Sequence, residues 1–104
     1  MATPEGKVKD RVKKVLAARG AYWHMPVQNG MGAPTLDFIG CQCGMFFAIE
    51  TKAGNGKPTP RQEITIKKMQ DAGAMVFVVN DITGTELLDM WLMTTLLSKG
   101  NNKC

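Results

Sequence analysis

Histidine, cysteine and long apolar runs are all scarce in this chain of 104 residues. A lone C-x-C of Cys41 and Cys43, a terminal Cys104 and a single histidine argue against a four-ligand zinc site. No stretch approaches the roughly 20 consecutive apolar residues of a membrane-spanning helix. The first residues also lack the apolar segment of a signal peptide. We therefore expect one domain of residues 1–104, intracellular, cytoplasmic and without a membrane span.

The positive charge is concentrated at the start of the chain. The net charge is +4, and the first twenty residues hold six of the thirteen bases but only two of the nine acids. A basic helix is either a solvated face or a surface that attracts phosphates, and the charge alone leaves both interpretations open. Lys7, Arg11 and Lys14 share one flank of the predicted helix and are the nucleic-acid contacts in the second case.

Capping residues and apolar spacing predict an α/β fold. Thr3-Pro4 and Thr59-Pro60 are typical of helix starts, and Gly20 and Gly73 of helix ends. The apolar run 75–79 predicts a strand buried on both faces. The remaining predicted elements are a short strand after residue 20, strands at 36–39 and 45–52 joined by a hairpin over 40–44, and a helix at 86–98. Together they predict a mixed β-sheet flanked by helices.

The second strand of the predicted hairpin ends in an acid and a lysine on the same face. Side chains alternate along a strand, so Glu50 and Lys52 point the same way. If the hairpin turns on Gln42-Cys43, Asp37 lies opposite Ala48, on that face and diagonal to Glu50. A register shift of one residue would move Asp37 to the other face.

Two carboxylates around one point repel each other unless a cation lies between them. Ligands that are all oxygens suit Mg²⁺ or Mn²⁺, which hold phosphate oxygens and acidify bound water. A nearby lysine can orient the attacking water and offset charge that develops on the phosphate. The competing interpretation is a surface ion pair between Glu50 and Lys52, with Asp37 a turn residue.

The pattern of Asp37 followed by Glu50-Thr51-Lys52 resembles the core of the PD-(D/E)XK nuclease superfamily. The wider context resembles its VRR-NUC branch, in particular short stand-alone members found in phages. Three segments carry this resemblance: Gly30-Met31-Gly32-Ala33-Pro34, Phe47-Ala48-Ile49-Glu50-Thr51-Lys52 and Pro60-Arg61-Gln62. It implies a restriction-endonuclease-like fold and a Mg²⁺- or Mn²⁺-dependent endonuclease. Its location would be the host cytoplasm if a phage encodes it.

The resemblance also implies roles for individual residues. The implied metal ligands are Asp37, Glu50, the Thr51 carbonyl and Glu5. The implied catalytic groups are Asp37, Glu50, Lys52 and Gln62. The candidate DNA contacts are Lys7, Arg11, Lys14, Lys57 and Arg61. The stand-alone members further imply branched DNA, such as four-way junctions, cut by a homodimer.

Two of these residues have a competing role in helix capping. Glu5 precedes the apolar stripe of the first helix, but an acid at a helix start is also favoured by the helix dipole. Gln62 lies on the inward stripe of its helix, but Thr59 and Gln62 also form the T-x-x-Q pattern of a capping box. Both interpretations of each residue stay open at this point.

The chain departs from the family at the run that gives the family its name. Val78-Val79-Asn80-Asp81 stands where a Val-Arg-Arg run is expected. The contribution of those arginines is therefore absent or comes from elsewhere, with Lys67, Lys68 and the first helix as candidates. Two other classes of function stay open: a catalytically silent nucleic-acid-binding module, and a small assembly protein with a nuclease-like fold.

Overall fold

The computed structural model of the chain describes residues 3–28 and 33–98. These residues form α1 (Pro4–Ala18), β1 (Tyr22–His24), β2 (Phe38–Gln42), β3 (Met45–Thr51), α2 (Pro60–Asp71), β4 (Met75–Val79) and α3 (Glu86–Ser98). The strands make one sheet in the order β1-β2-β3-β4, in which β4 is parallel to β3 and the other pairs are antiparallel. The predicted mixed sheet with flanking helices is confirmed. Within these residues no helix is both long and apolar enough to cross a membrane.

Helix α1 begins and ends where its capping residues predict. The Thr3 hydroxyl accepts a hydrogen bond from the Gly6 N–H at 3.0 Å, and Gly20, just past the helix, has a positive φ of 69°. The inward face of α1 packs with α3 against one face of the sheet. The buried residues of this core are Val8, Val12, Leu16, Phe38, Phe47, Ile49, Phe77, Val79, Leu88 and Leu92.

Helix α2 covers the opposite face of the sheet but buries few of its own side chains there. Thr65 is the buried residue of α2. Strand β4 is an edge strand, and its Met75 is 42% exposed. The prediction that this strand is buried on both faces is therefore wrong. An apolar run can also lie at an edge, with one face in the core and the other under a sparse cover.

The hairpin turn lies one residue later than predicted, which shifts the pairing of the two strands by two residues. Gln42 pairs with Met45, so the turn is Cys43-Gly44, and both turn residues have positive φ (54° and 80°). This is the two-residue loop whose twist suits a hairpin. Phe38 pairs with Ile49, which brings Asp37 opposite Glu50 rather than Ala48. Because the shift is an even number, Asp37 stays on the predicted face.

Gly40 explains why the turn was predicted too early. It lies inside β2, where a Cβ would come within 2.3 Å of the Tyr22 carbonyl oxygen and 2.4 Å of Phe47 Cζ. The glycine serves close packing between strands and not a turn. This packing depends on residues distant in sequence, which the local pattern around Gly40 does not contain.

Candidate active site

Two carboxylates meet where β2 begins and β3 ends. Glu50 is buried, with 3% of its surface exposed. Asp37 precedes β2, and its Oδ2 accepts hydrogen bonds from the Thr51 N–H at 3.0 Å and the Thr51 hydroxyl at 2.7 Å. These bonds hold Asp37 beside Glu50. They leave Oδ1 of Asp37 without a hydrogen bond from the described residues.

The surroundings of Glu50 disfavour its charge. Burial, followed by the negative charge of Asp37, raises the pKa of Glu50 from 4.5 to about 7. The charge of Lys52 and hydrogen bonds from Lys52 and the Asp37 backbone lower this pKa, but they do not outweigh the first two causes. A divalent cation would supply the positive charge that the site lacks.

Lys52 lies beside Glu50, one residue beyond the end of β3. Its Nζ is 3.6 Å from Glu50 Oε2, and 18% of its side chain is exposed. Its backbone N–H donates to the Val79 carbonyl at 2.9 Å, which continues the pairing with β4. The lysine is therefore held largely out of solvent next to the acid pair, unlike an ordinary surface ion pair.

Gln62 forms the predicted capping box and also contacts the candidate site through Glu50. Its Oε1 accepts from the Thr59 N–H at 2.9 Å, while Thr59 Oγ1 accepts from the Gln62 N–H at 3.2 Å, which completes the capping box. Its Nε2 donates to Glu50 Oε2 at 2.8 Å. One side-chain amide thus ties the start of α2 to the buried acid, because its two ends bond in different directions.

Glu5 is not brought together with these carboxylates. It is paired with Lys9 at 3.5 Å, and 44% of its side chain is exposed. Among residues 3–28 and 33–98, no group of three histidine, cysteine or acidic side chains is placed to hold a metal ion. The described residues thus supply two carboxylates, with Thr51 between them in the hydrogen-bond network.

The predicted DNA contacts occupy different surroundings. Lys7, Lys14, Lys57 and Arg61 are exposed. Arg11 forms an ion pair with Asp81, which stands where the name-giving arginine run was expected. The pKa of Asp81 is lowered by hydrogen bonds from Arg11 and the Gly54 backbone, and also by the charge of Lys7. Two residues of the basic flank therefore lie near the loop that follows Lys52.

An open groove of about 760 Å³ runs along α2 beside the acid pair. Gln62, the residue that bonds Glu50, lines it, and so do the cations Arg61 and Lys68. Apolar side chains complete the lining: Val27, Pro34, Ile64 and Met69. The segment of residues 30–32, part of the sequence resemblance, lies outside the described residues.

Sequence reasoning missed the polar cluster at the end of β4. Asn80 is 8% exposed, and its side-chain amide donates to the Gly56 carbonyl at 2.9 Å. Asp81 Oδ2 accepts from the Gly54 N–H at 2.6 Å. An Asn-Asp pair after an apolar strand is a common turn signal, so its contacts with a distant loop had no separate signature.

Comparison with known proteins adds structural similarity to a solved domain. No family model and no curated protein matches the sequence. A solved structure described as a "VRR_NUC domain" superposes with a TM-score of 0.67 at 23% sequence identity, covering 97% of this chain and 100% of that one. The similarity spans nearly the whole chain, including the strands that carry Asp37 and Glu50. The chain therefore has the fold of a VRR-NUC domain, of the restriction-endonuclease-like type.

Proposed function

We propose that this protein is a Mg²⁺- or Mn²⁺-dependent endonuclease that hydrolyses DNA phosphodiester bonds. The observation that carries the proposal is the buried Glu50 beside Asp37, with Lys52 and Gln62 both directed at its Oε2. Replacing a buried ion pair with apolar residues is often neutral or stabilising, so stability alone gives little reason for the buried Glu50 and its lysine. The fold supports the same function, since the structure that superposes on this chain is described as a "VRR_NUC domain".

The donor chemistry of the site fits a hard divalent cation. Asp37 and Glu50 offer carboxylate oxygens, and we assign the Thr51 carbonyl as a further ligand, whereas Glu5, which is paired with Lys9, is not part of the proposed set. Oxygen donors of this kind suit Mg²⁺ and Mn²⁺ and do not suit zinc. When bound, the ion supplies Lewis acidity toward a phosphate oxygen.

The side chains around the ligands divide the remaining tasks. The Lys52 ammonium, held near Glu50, can orient the attacking water and offset negative charge on the phosphate. The Gln62 amide fixes the orientation of the Glu50 carboxylate through its bond to Oε2. The two hydrogen bonds from Thr51 fix the orientation of the Asp37 carboxylate. Preorganised groups of this kind act without reorganising during the reaction.

A substrate panel tests the proposed activity. Labelled four-way junction, flap, duplex and single-stranded DNA would be incubated with the protein in Mg²⁺, Mn²⁺ or EDTA. We expect cleavage with either metal, none in EDTA, and the junction cut fastest. Cleavage in EDTA would overturn the metal dependence, and equal cleavage of all four DNAs would overturn the preference for branched DNA. Metal-independent binding without cleavage would identify a silent nucleic-acid-binding module.

We further propose a homodimer, which would place two active sites on opposite strands of a symmetric junction. Several apolar side chains at and near α3 are exposed and offer an interface: Ile82, Leu87, Met90, Met93 and Leu97. Trp91 packs inward, with its ring centroid 5.9 Å from Phe47 and 5.7 Å from Phe77. Light scattering should give twice the monomer mass. A monomer at all concentrations would contradict the dimer but not the cleavage chemistry.

The exposed bases of α1 are expected to bind DNA phosphates. Replacing Lys7 and Lys14 with alanine should weaken DNA binding and flatten the dependence of log K on log salt by about 2, since each phosphate contact contributes roughly 0.9. Titrations of binding at several salt concentrations measure this slope. The double variant Lys13→Ala/Lys67→Ala is the control, because it removes the same charge from bases paired with Asp10 and Asp71. An equal change in both variants would make α1 an ordinary solvated face.

A further inference from the structure

The loop that follows Lys52 is tied to the end of β4 by two neighbouring residues, Asn80 and Asp81. The backbones of Asp81 and Gly54 bond at 2.9 Å, and the Gly54 N–H returns a bond to the Asp81 carboxylate at 2.6 Å. Two residues further along the loop, the Gly56 carbonyl accepts from the Asn80 amide at 2.9 Å. The loop is therefore fastened at two alternate residues.

Asn80 is a rigid anchor because its own turn already fixes it. Its Oδ1 accepts from the Ile82 N–H at 2.9 Å and the Thr83 N–H at 2.8 Å. Its backbone N–H donates to Thr83 Oγ1 at 3.0 Å. With the oxygen side held by the turn, the amide NH₂ has one direction available, toward Gly56. Since Asn80 is buried, losing this bond would leave a polar group without water.

Arg11 of α1 also helps to hold the loop of residues 53–57, through its ion pair with Asp81. Arg11 forms an ion pair with Asp81 Oδ1, while Oδ2 of the same carboxylate holds Gly54. The pair is half exposed, with 49% and 40% of the two side chains accessible. By itself an exposed pair contributes little. Here it connects the basic helix to the loop beside the acid pair.

The loop of residues 53–57 lies close to the aliphatic part of the Lys52 side chain. A Cβ placed on Gly56 would lie 3.1 Å from Lys52 Cβ and 3.0 Å from the Ala53 carbonyl oxygen. Only glycine allows the loop to close this tightly without displacing the lysine. The position of Gly56 therefore limits where the Lys52 side chain can go, and its ammonium lies 3.6 Å from Glu50.

We propose that Asn80 and Asp81 are positioning residues for Lys52, acting through the loop of residues 53–57. Asn80 supplies the main restraint through Gly56, and Asp81 with Arg11 supplies a weaker one through Gly54. The inference rests on the proposed nuclease function, in which Lys52 acts on the phosphate. A lysine with four rotatable bonds needs such a restraint, because a displacement of about 1 Å in a catalytic group can cost 100-fold in rate.

The test is Asn80→Asp, which keeps the shape and the oxygen that accepts from Ile82 and Thr83. It replaces the donor to the Gly56 carbonyl with an acceptor, so the tether is cut while the bonds within the turn can be kept. We expect single-turnover kcat to fall roughly 10- to 100-fold with KM for DNA nearly unchanged. Asn55→Asp, at an exposed position in the same loop, is the control because it adds the same charge and cuts no bond. Equal losses in the two variants would overturn the proposal.

Three further measurements separate positioning from folding and from the proposed function. In a Lys52→Ala background, Asn80→Asp should add no further loss; the same fold-loss as in the wild type would overturn the proposal. Gly56→Ala should reproduce the loss by crowding Lys52 directly. Amide hydrogen exchange over residues 53–57 should accelerate in Asn80→Asp whether or not DNA is cleaved, and unchanged protection would overturn the proposal. If the wild type cleaves none of the DNA substrates, the proposed function is wrong. Amide hydrogen exchange would still show whether Asn80 restrains residues 53–57.

Discussion

Replacing Glu50 with glutamine is expected to reduce DNA cleavage by about 10³-fold or more. Glutamine keeps the shape of the side chain and an oxygen that can accept from Gln62 and Lys52. It removes the charge that a divalent cation needs, and with it several kcal/mol of transition-state stabilisation. Single-turnover cleavage of junction DNA in Mn²⁺ measures the loss.

The control for this substitution is Glu63→Gln, which removes the same charge from an exposed position on α2. It should cleave at the wild-type rate, and both variants should bind DNA in EDTA as tightly as the wild type. Addition of Mn²⁺ should raise the melting temperature of the wild type and of Glu63→Gln but not that of Glu50→Gln. Wild-type cleavage by Glu50→Gln would remove Glu50 from the proposed metal site.

The second large effect is the pH dependence of stability in metal-free protein. The pKa of Glu50 is raised to about 7, so between pH 4.5 and 7 the folded chain holds a proton that the unfolded chain has released. The contribution of Glu50 to the free energy of unfolding therefore falls as pH rises through this window. A shift of this size corresponds to a loss on the order of 3 kcal/mol at pH 8.

Chemical denaturation of the wild type and Glu50→Gln at several pH values isolates this contribution. The free energy of unfolding of the variant minus that of the wild type should grow as pH rises from 4.5 to 7 and then level off. Other titrating groups are common to both proteins and cancel in the difference. Mn²⁺ at pH 8 should close the gap by stabilising the wild type alone. A difference independent of pH would show that Glu50 is not held in a charge-disfavouring site.

Glu50→Gln is thus expected to reduce cleavage and yet to stabilise the metal-free protein at high pH. Both effects have the same physical origin. A buried carboxylate beside a second carboxylate is unfavourable in the folded chain alone, because burial and like charge both raise its pKa. The same features make the site attractive to a cation. Residues that bind or react are commonly placed at some cost in stability.

Much of the fold could be predicted because its signals are local. The cap at Thr3, the stripe of α1 and the apolar run of β4 are visible within a few residues of each other. The pairing of Glu50 with Lys52 was also predictable, since alternation along β3 puts both side chains on one face. The even-numbered register error left that face unchanged.

Other features depend on contacts between residues far apart in sequence. Gly40 was assigned to a turn because its need for close packing comes from Tyr22 and Phe47. The two roles of Gln62 could not be separated in the sequence, because the cap is local whereas the bond to Glu50 joins different elements. Whether a strand lies at the edge or in the centre of a sheet likewise depends on the other strands. The burial of β4 could therefore not be decided from its own composition.

The sequence by itself determined the α/β class, the helix boundaries and the three residues Asp37, Glu50 and Lys52. These follow from periodicity, capping and the spacing of charged residues, which are properties of neighbouring positions in the chain. Only the tertiary structure decided that Asp37 lies opposite Glu50, that Gln62 bonds Glu50, and that Asn80 and Asp81 hold the loop beside Lys52. Those arrangements arise from strand register and side-chain packing, which exist only once distant segments come together.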